Sequence, residues 1–135
     1  MIKNSKILIA DDEPRICSSL KSLLCSRSYE VQTCNSGNEA LQHLAHDKFE
    51  LVLLDIFMED MTGFQVIETI KNQAIDTSVI IMTGNASTDS AVKALRMGAN
   101  DYLKKPFESK ELFTSVGNIL NQRILKKKLT EIGRA

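Results

Sequence analysis

Two apolar runs in the chain end abruptly in acid: Lys6-Ile7-Leu8-Ile9-Ala10 leads into Asp11-Asp12, and Leu51-Val52-Leu53-Leu54 leads into Asp55. If both runs are buried parallel strands, three carboxylates converge at one sheet edge. Like charges packed that closely raise one another's pKa unless a cation neutralises them. A hard divalent metal, a lysine or both would answer that need. Lys105 and Thr83 are further candidates, the first as a positive charge and the second as a hydroxyl donor. Each residue also has a plain structural reading. An acidic pair after a strand suits the dipole of a helix N-terminus. Asp55 could be a solvated strand end, Thr83 a β-branched strand residue and Lys104-Lys105 a wetted loop. Their joint occurrence at strand ends favours chemistry.

The elements that must position these groups follow from periodicity. Strand-like apolar runs at about 6–10, 29–34, 50–55, 77–83 and 100–103 alternate with helix-like segments, which predicts a parallel sheet covered by helices on both faces. Pro14 suits the opening turn of the first helix, whose apolar face is Ile16, Leu20, Leu23 and Leu24 and whose end falls near Arg27-Ser28. Ser36 and Glu39 form a capping-box pattern for the second helix, and Thr62 and Gln65 for the third. Ser87 is a candidate N-cap and Gly98 a candidate C-cap for the fourth, enclosing Ala91, Val92, Ala94 and Leu95. The fifth helix begins after Pro106-Phe107 with apolar Leu112, Val116, Ile119, Leu120 and Ile124. Gly117 within it costs about 1 kcal/mol relative to alanine. Leu125, Leu129 and Ile132 continue an i, i+4, i+7 stripe, so this helix is expected to overrun the domain.

At 135 residues, 43% hydrophobic and 25% charged, the chain has the size and balance of one globular domain. Its apolar stretches are strand-length, too short to span a bilayer, and the N-terminus shows no apolar signal region, which predicts a cytoplasmic protein. Three cysteines, Cys17, Cys25 and Cys34, lack C-x-x-C spacing and are read as buried or half-buried packing residues rather than a disulfide framework or zinc site. His43 and His46 are read as surface helix residues. Charge is balanced overall at 17 basic and 17 acidic residues, but Arg123, Lys126, Lys127, Lys128 and Arg134 crowd the last fifteen positions against one acid, Glu131. A nucleic-acid-binding domain would be basic throughout, so no direct nucleic-acid binding is expected of this segment.

In an open parallel sheet, chemistry belongs in the crevice at the carboxyl ends of the strands. Asp11-Asp12, Asp55-x-x-Met58, Gly63, Thr83-Gly84 and Lys105-Pro106-Phe107 together resemble the receiver domain of bacterial two-component response regulators over roughly residues 4–122. The resemblance implies an α/β fold: one doubly wound (βα)5 parallel sheet, flavodoxin-like, in strand order 2-1-3-4-5, with residues 1–122 as receiver and 123–135 as a helical extension. It implies a signalling switch rather than an enzyme acting on outside substrates. Asp55 would be the phosphoacceptor, attacking a phosphohistidine on a sensor histidine kinase or phosphotransfer protein. Asp12, Asp55 and the backbone carbonyl of Phe57 would hold Mg²⁺ (or Mn²⁺), with Asp11 acting largely through water. Lys105 and Thr83 would each meet a phosphoryl oxygen; positioning and charge neutralisation are nearly all that phosphoryl transfer needs. Gly84 beside Thr83, a cis bond at Lys105-Pro106 and an inward-turning Tyr102 would serve the conformational response. That response would alter the surface of the fourth helix, fifth strand and fifth helix to control an effector or pair two protomers, the last also possible through the C-terminal helix. Phe57, Glu59 and Asn85 would modulate hydrolysis.

The chain departs from the pattern where receivers commonly carry proline four residues after the phosphoacceptor: here stand Glu59 and then Asp60. The extra acid would either weaken phosphodonor approach or strengthen the pull on cations. Phe57 is bulky and apolar, and its ring is expected to shield an acyl phosphate from water. Three competing classes fit less well. A pseudo-receiver would lack the acidic pocket or Lys105; a haloacid-dehalogenase-like phosphatase would want D-x-D after the first strand; a flavodoxin-like flavin carrier would want a Ser/Thr/Gly phosphate loop where this chain has acids.

Overall fold

The computed structural model describes residues 5–84 and 88–133. Five strands, β1 (Lys6–Ala10), β2 (Glu30–Cys34), β3 (Leu51–Asp55), β4 (Ser78–Thr83) and β5 (Asp101–Lys104), alternate with five helices, α1 (Pro14–Cys25), α2 (Gly37–His46), α3 (Gly63–Asn72), α4 (Thr88–Arg96) and α5 (Ser109–Gly133). All strand pairs are parallel and the sheet order is β2-β1-β3-β4-β5, the flavodoxin-like receiver topology.

Both faces of the central strands are covered, which is why β3 and β4 read as continuous apolar runs rather than alternating ones. Successive side chains still go to opposite faces. Leu8, Val52, Leu54, Val79 and Ile81 pack with Ala40, Leu44, Val66, Ile67, Ile70 and Ala94 from α2, α3 and α4. Ile7, Ile9, Leu51, Leu53, Ile80 and Met82 pack with Cys17, Leu20, Leu24, Leu112, Val116 and Ile119 from α1 and α5.

The helix starts obey local chemistry. Pro14 occupies the first turn of α1. Thr62 and Gln65 satisfy each other's backbone N–H groups in a full capping box at α3. At α2 the box is one-sided: Ser36 accepts from the Glu39 N–H, but the Glu39 carboxylate faces the Asn35 N–H at 3.4 Å instead of returning to Ser36. Ser87 lies outside the described residues. Gly98 ends α4 at φ +114°, a conformation that strains residues with a Cβ.

One packing expectation is corrected, and two apolar groups prove to face solvent. Cys25 is exposed, because α1 buries Cys17, Leu20 and Leu24 and position 25 turns past that stripe; Cys17 and Cys34 are buried. Val92 and Leu95 are exposed on α4, whose inward contact is carried by the small Ala94. The apolar stripe of the C-terminal extension is solvent-facing: Ile124, Leu125, Leu129 and Ile132 are 49% to 71% exposed. Among the described residues Arg123 is the last to hydrogen-bond the body, donating to Ser78 Oγ and Asp76 Oδ1 at 3.0 and 3.1 Å. Among the described residues no helix is long and apolar enough to cross a membrane.

Candidate functional site

Parallel register places the candidate residues along one sheet edge. Asp11 follows β1, Asp55 and Thr83 are the last residues of β3 and β4, and Lys105 follows β5. Backbone bonds extend the ladder past the strands and hold that edge: Asp11 N–H to Cys34 O, Ile56 N–H to Met82 O and Lys105 N–H to Thr83 O, at 3.2, 3.3 and 2.8 Å. One carboxylate oxygen from each of Asp11, Asp12 and Asp55 lies within 4.8 Å of the others. Asp11 is fully buried, Asp55 is buried and Asp12 is exposed.

Lys105 reaches into this group. Its Nζ lies 2.5 Å from Asp11 Oδ2 and 3.7 Å from Asp55 Oδ2. The other Asp11 oxygen accepts from the Glu13 N–H at 3.0 Å, so both Asp11 oxygens have protein partners. Asp55 is less well served. Burial pushes its pKa up from 3.8 to about 6; Lys105 pulls it down, Asp11 and Asp12 push it up, and the Phe57 backbone N–H, donating to the carboxylate, pulls it down. A site with three carboxylates and one lysine is oxygen-rich and short of positive charge, the donor set a hard divalent cation takes.

The supporting shell contains residues that sequence patterning missed. Asn35 Nδ2 donates to the Asp11 carbonyl at 3.1 Å, and the buried Cys17 thiol faces the same carbonyl at 3.4 Å. Burial pushes the Cys17 thiol above its usual range and that of Cys34 up to about 12, so both are inert packing groups. The signal for Asn35 was topological: once β2 is known to flank β1, the residue after β2 must sit beside Asp11.

Gly63 is required by close approach. A Cβ there would stand 2.8 Å from the Asp55 carbonyl oxygen and 3.1 Å from Ile56 Cα, both backbone atoms that cannot step aside. The Gly63 N–H donates to Ile56 O at 2.7 Å, and Phe57 bridges to Thr62, so the 56–62 loop leaves β3 and returns to α3 as a narrow turn. Phe57 is 49% exposed and Glu59 is exposed at the tip of that turn. Asp60 does not add charge to the acidic group: its two carboxylate oxygens accept from the Gly37 and Asn38 N–H groups at 3.0 and 2.8 Å. Asp60 is exposed; the slight desolvation that raises its pKa is outweighed by those bonds, which hold it below the usual carboxylate range.

Thr83 is 1% exposed. Gly84 has no positive φ, and a Cβ there would make only an ordinary 3.9 Å contact with Lys105 Cβ. The Lys105–Pro106 peptide bond is cis. Tyr102 packs against the core beneath α2, α3 and α4, and its enclosed hydroxyl has no hydrogen-bond partner. Asn85 lies outside the described residues.

A model of the response regulator receiver domain family matches residues 7–117. The chain belongs to that family. Among curated relatives, the two-component response regulator ARR11 of Arabidopsis thaliana is 37% identical over 129 residues, covering 94% of this chain and 24% of the plant protein. The response regulator SaeR of Staphylococcus aureus is 34% identical over 116 residues, covering 86% of this chain and 50% of its own length. The chain thus spans half or less of these relatives. Among solved structures, a CheY-like response regulator receiver domain protein from Methanospirillum hungatei superposes with a TM-score of 0.87 at 30% identity, covering 92% of this chain and 99% of the other. The beryllofluoride-activated NtrC4 receiver domain dimer superposes with a TM-score of 0.82 at 33% identity, covering 87% and 97%. The chain is a response regulator receiver domain of two-component signalling.

Proposed function

We propose that Asp55 accepts a phosphoryl group from the phosphohistidine of a sensor kinase or phosphotransfer protein in a Mg²⁺-dependent reaction. The P–N bond to imidazole breaks and a P–O bond to an Asp55 carboxylate oxygen forms, leaving the donor histidine and an aspartyl phosphate. The observation that carries this reading is the convergence of Asp11, Asp12 and Asp55, within 4.8 Å, on a site that one lysine only partly neutralises.

Asp12, Asp55 and the Phe57 carbonyl would hold the metal, with Asp11 helping through water because its own oxygens are already engaged by Lys105 and Glu13. When bound, the ion supplies Lewis-acid charge neutralisation. The residues do the rest. Lys105, already between Asp11 and Asp55, is placed to meet a phosphoryl oxygen without leaving the site. Thr83 ends the neighbouring strand and would donate its hydroxyl to another. Phe57, exposed beside the acceptor, would exclude attacking water.

Output is assigned to the α4–β5–α5 face, where Val92 and Leu95 are exposed, with Thr83 and Tyr102 carrying the change. Residues 1–122 form the switch and 123–135 the junction to an effector or a second protomer; the activated NtrC4 receiver domain is a dimer. We place the protein in the cytoplasm, where its kinase partner would act. Intact mass after incubation with acetyl phosphate and Mg²⁺ tests the reading. One phosphate adduct that disappears in Asp55→Ala and with chelator is expected; a folded protein that takes no adduct would make it an interaction module of receiver fold.

A further inference from the structure

The tip of the 56–62 loop is held from outside. Phe57 and Thr62 bridge its base, whereas Glu59 at the tip is exposed. What fixes the tip is the first turn of α2, which lies 23 and 22 positions away in sequence from Asp60. Both Asp60 oxygens accept N–H groups there. α2 already has a cap of its own, since Ser36 Oγ accepts from the Glu39 N–H at 3.1 Å. Asp60 is thus an additional, long-range clamp on the two amides that Ser36 leaves free.

A second contact reinforces it. A Cβ on Gly37 would stand 2.3 Å from Met61 Cγ and 2.8 Å from its sulfur, so the loop residue after Asp60 lies directly against the helix start. From the same β2–α2 connection Asn35 donates to the Asp11 carbonyl. The start of α2 therefore touches both ends of the acidic group: Asp11 through Asn35, and the loop bearing Phe57 through Asp60 and Met61.

We propose that Asp60 is a positioning residue for phosphoryl transfer, acting by clamping the 56–62 loop to α2 and so fixing the Phe57 backbone and ring beside Asp55. This rests on the function proposed above. Phe57 is the link because it stands two residues after Asp55, is bridged to Thr62 within the same loop, and offers the carbonyl that is the expected metal ligand. With the tip released, that carbonyl and the shielding ring lose their fixed placement while Asp11, Asp12, Asp55 and Lys105 remain.

The test is Mg²⁺ titration by calorimetry, phosphoryl lifetime by intact mass and thermal unfolding, applied to the parent, Asp60→Ala, Asp60→Asn and Gly37→Ala. Residues that orient metal ligands shift affinity by about 10–100-fold, and a residue acting through a loop belongs at the low end, about tenfold. Asp60→Ala should weaken Mg²⁺ binding by that factor and shorten the phosphoryl lifetime. Asp60→Asn, with one acceptor oxygen instead of two, should lie between. Gly37→Ala keeps Asp60 and is intrinsically better in a helix. It must nevertheless move Met61, so it should weaken Mg²⁺ binding without a matching loss of melting temperature. If Asp60→Ala does not fold, Gly37→Ala decides. Variants that melt earlier yet bind Mg²⁺ and hold phosphate like the parent reduce Asp60 to a helix cap and defeat the proposal alone. A parent that neither binds Mg²⁺ nor takes phosphate defeats the functional reading, and the role of Asp60 with it.

Discussion

Replacing Asp55, the proposed phosphoacceptor, should stabilise the metal-free protein, because Asp55 is ionised at a cost. Burial lifts its pKa from an ordinary 3.8 to about 6. A carboxyl group whose folded pKa is raised binds its proton more tightly in the folded state, so stability falls as pH rises from about 4 through about 6 and is level above that. About two pKa units at 1.36 kcal/mol each come to about 3 kcal/mol at neutral pH. Asp55→Asn removes the titration but keeps an acceptor for the Phe57 N–H. Lys105 stays paired, since its nearer partner is Asp11 at 2.5 Å. The variant should therefore be up to about 3 kcal/mol more stable than the parent at pH 7.5 in chelator. At about 2.1 cal/mol/K of unfolding entropy per residue that is a melting difference of about 10 °C.

Thermal unfolding of the two proteins in EDTA, from about pH 4 to about pH 8, reads this directly. The gap should be small near pH 4, open through pH 6 and stay level beyond. Saturating Mg²⁺ should close it, because the parent alone keeps the full ligand set; a ligand at a hundred times its Kd adds about 2.7 kcal/mol. Equal stability at pH 8 in chelator, or a gap that widens toward acid, would refute the claim that desolvation governs Asp55.

Tyr102→Phe removes an enclosed hydroxyl that has no partner. Leaving such a group unsatisfied costs about 1–3 kcal/mol, so urea unfolding should show a gain of about 1 kcal/mol, and a loss would reveal a partner for the hydroxyl. Phe57→Asn exchanges a half-exposed ring beside the acceptor for a polar amide that admits water. Its phosphorylated form should decay several-fold faster by intact mass, and an unchanged lifetime would sink the shielding role.

Much of the fold was legible because hydrophobic periodicity is local. The β3 and β4 runs are apolar on both faces, which only a doubly covered parallel strand requires, and the caps at Thr62 and Gly98 sit where their chemistry puts them. Strand order was not in the periodicity; it came with the family resemblance. The acids were visible because buried strands rarely end in consecutive charges, yet their inequality was not. Sequence cannot tell that Asp11 is fully buried and doubly partnered while Asp12 stays exposed, since Lys105 arrives from 94 positions away. The role of Asp60 was hidden for the same reason. Only the packing of α2 against the loop turns its carboxylate onto Gly37 and Asn38. The exposed face of Leu125, Leu129 and Ile132 was hidden by its own periodicity: the stripe repeats correctly, but it faces solvent.

Charge explains why cation and phosphate should be linked at this site. With Asp11, Asp12 and Asp55 ionised against Lys105, the group carries a net −2. Converting Asp55 to its acyl phosphate removes one negative charge and adds about −1.5 to −2, so without a cation the group would reach about −3 in a largely buried place. A divalent ion brings the resting group to neutrality and the phosphorylated group to about −1. The lysine cannot substitute, because it is already bound to Asp11 and can offer Asp55 only a 3.7 Å approach. Phosphoryl acceptance should accordingly depend on the divalent ion more steeply than on Lys105. Conversely, chelating the metal after phosphorylation should not release the phosphate at once, because hydrolysis also needs water to pass Phe57.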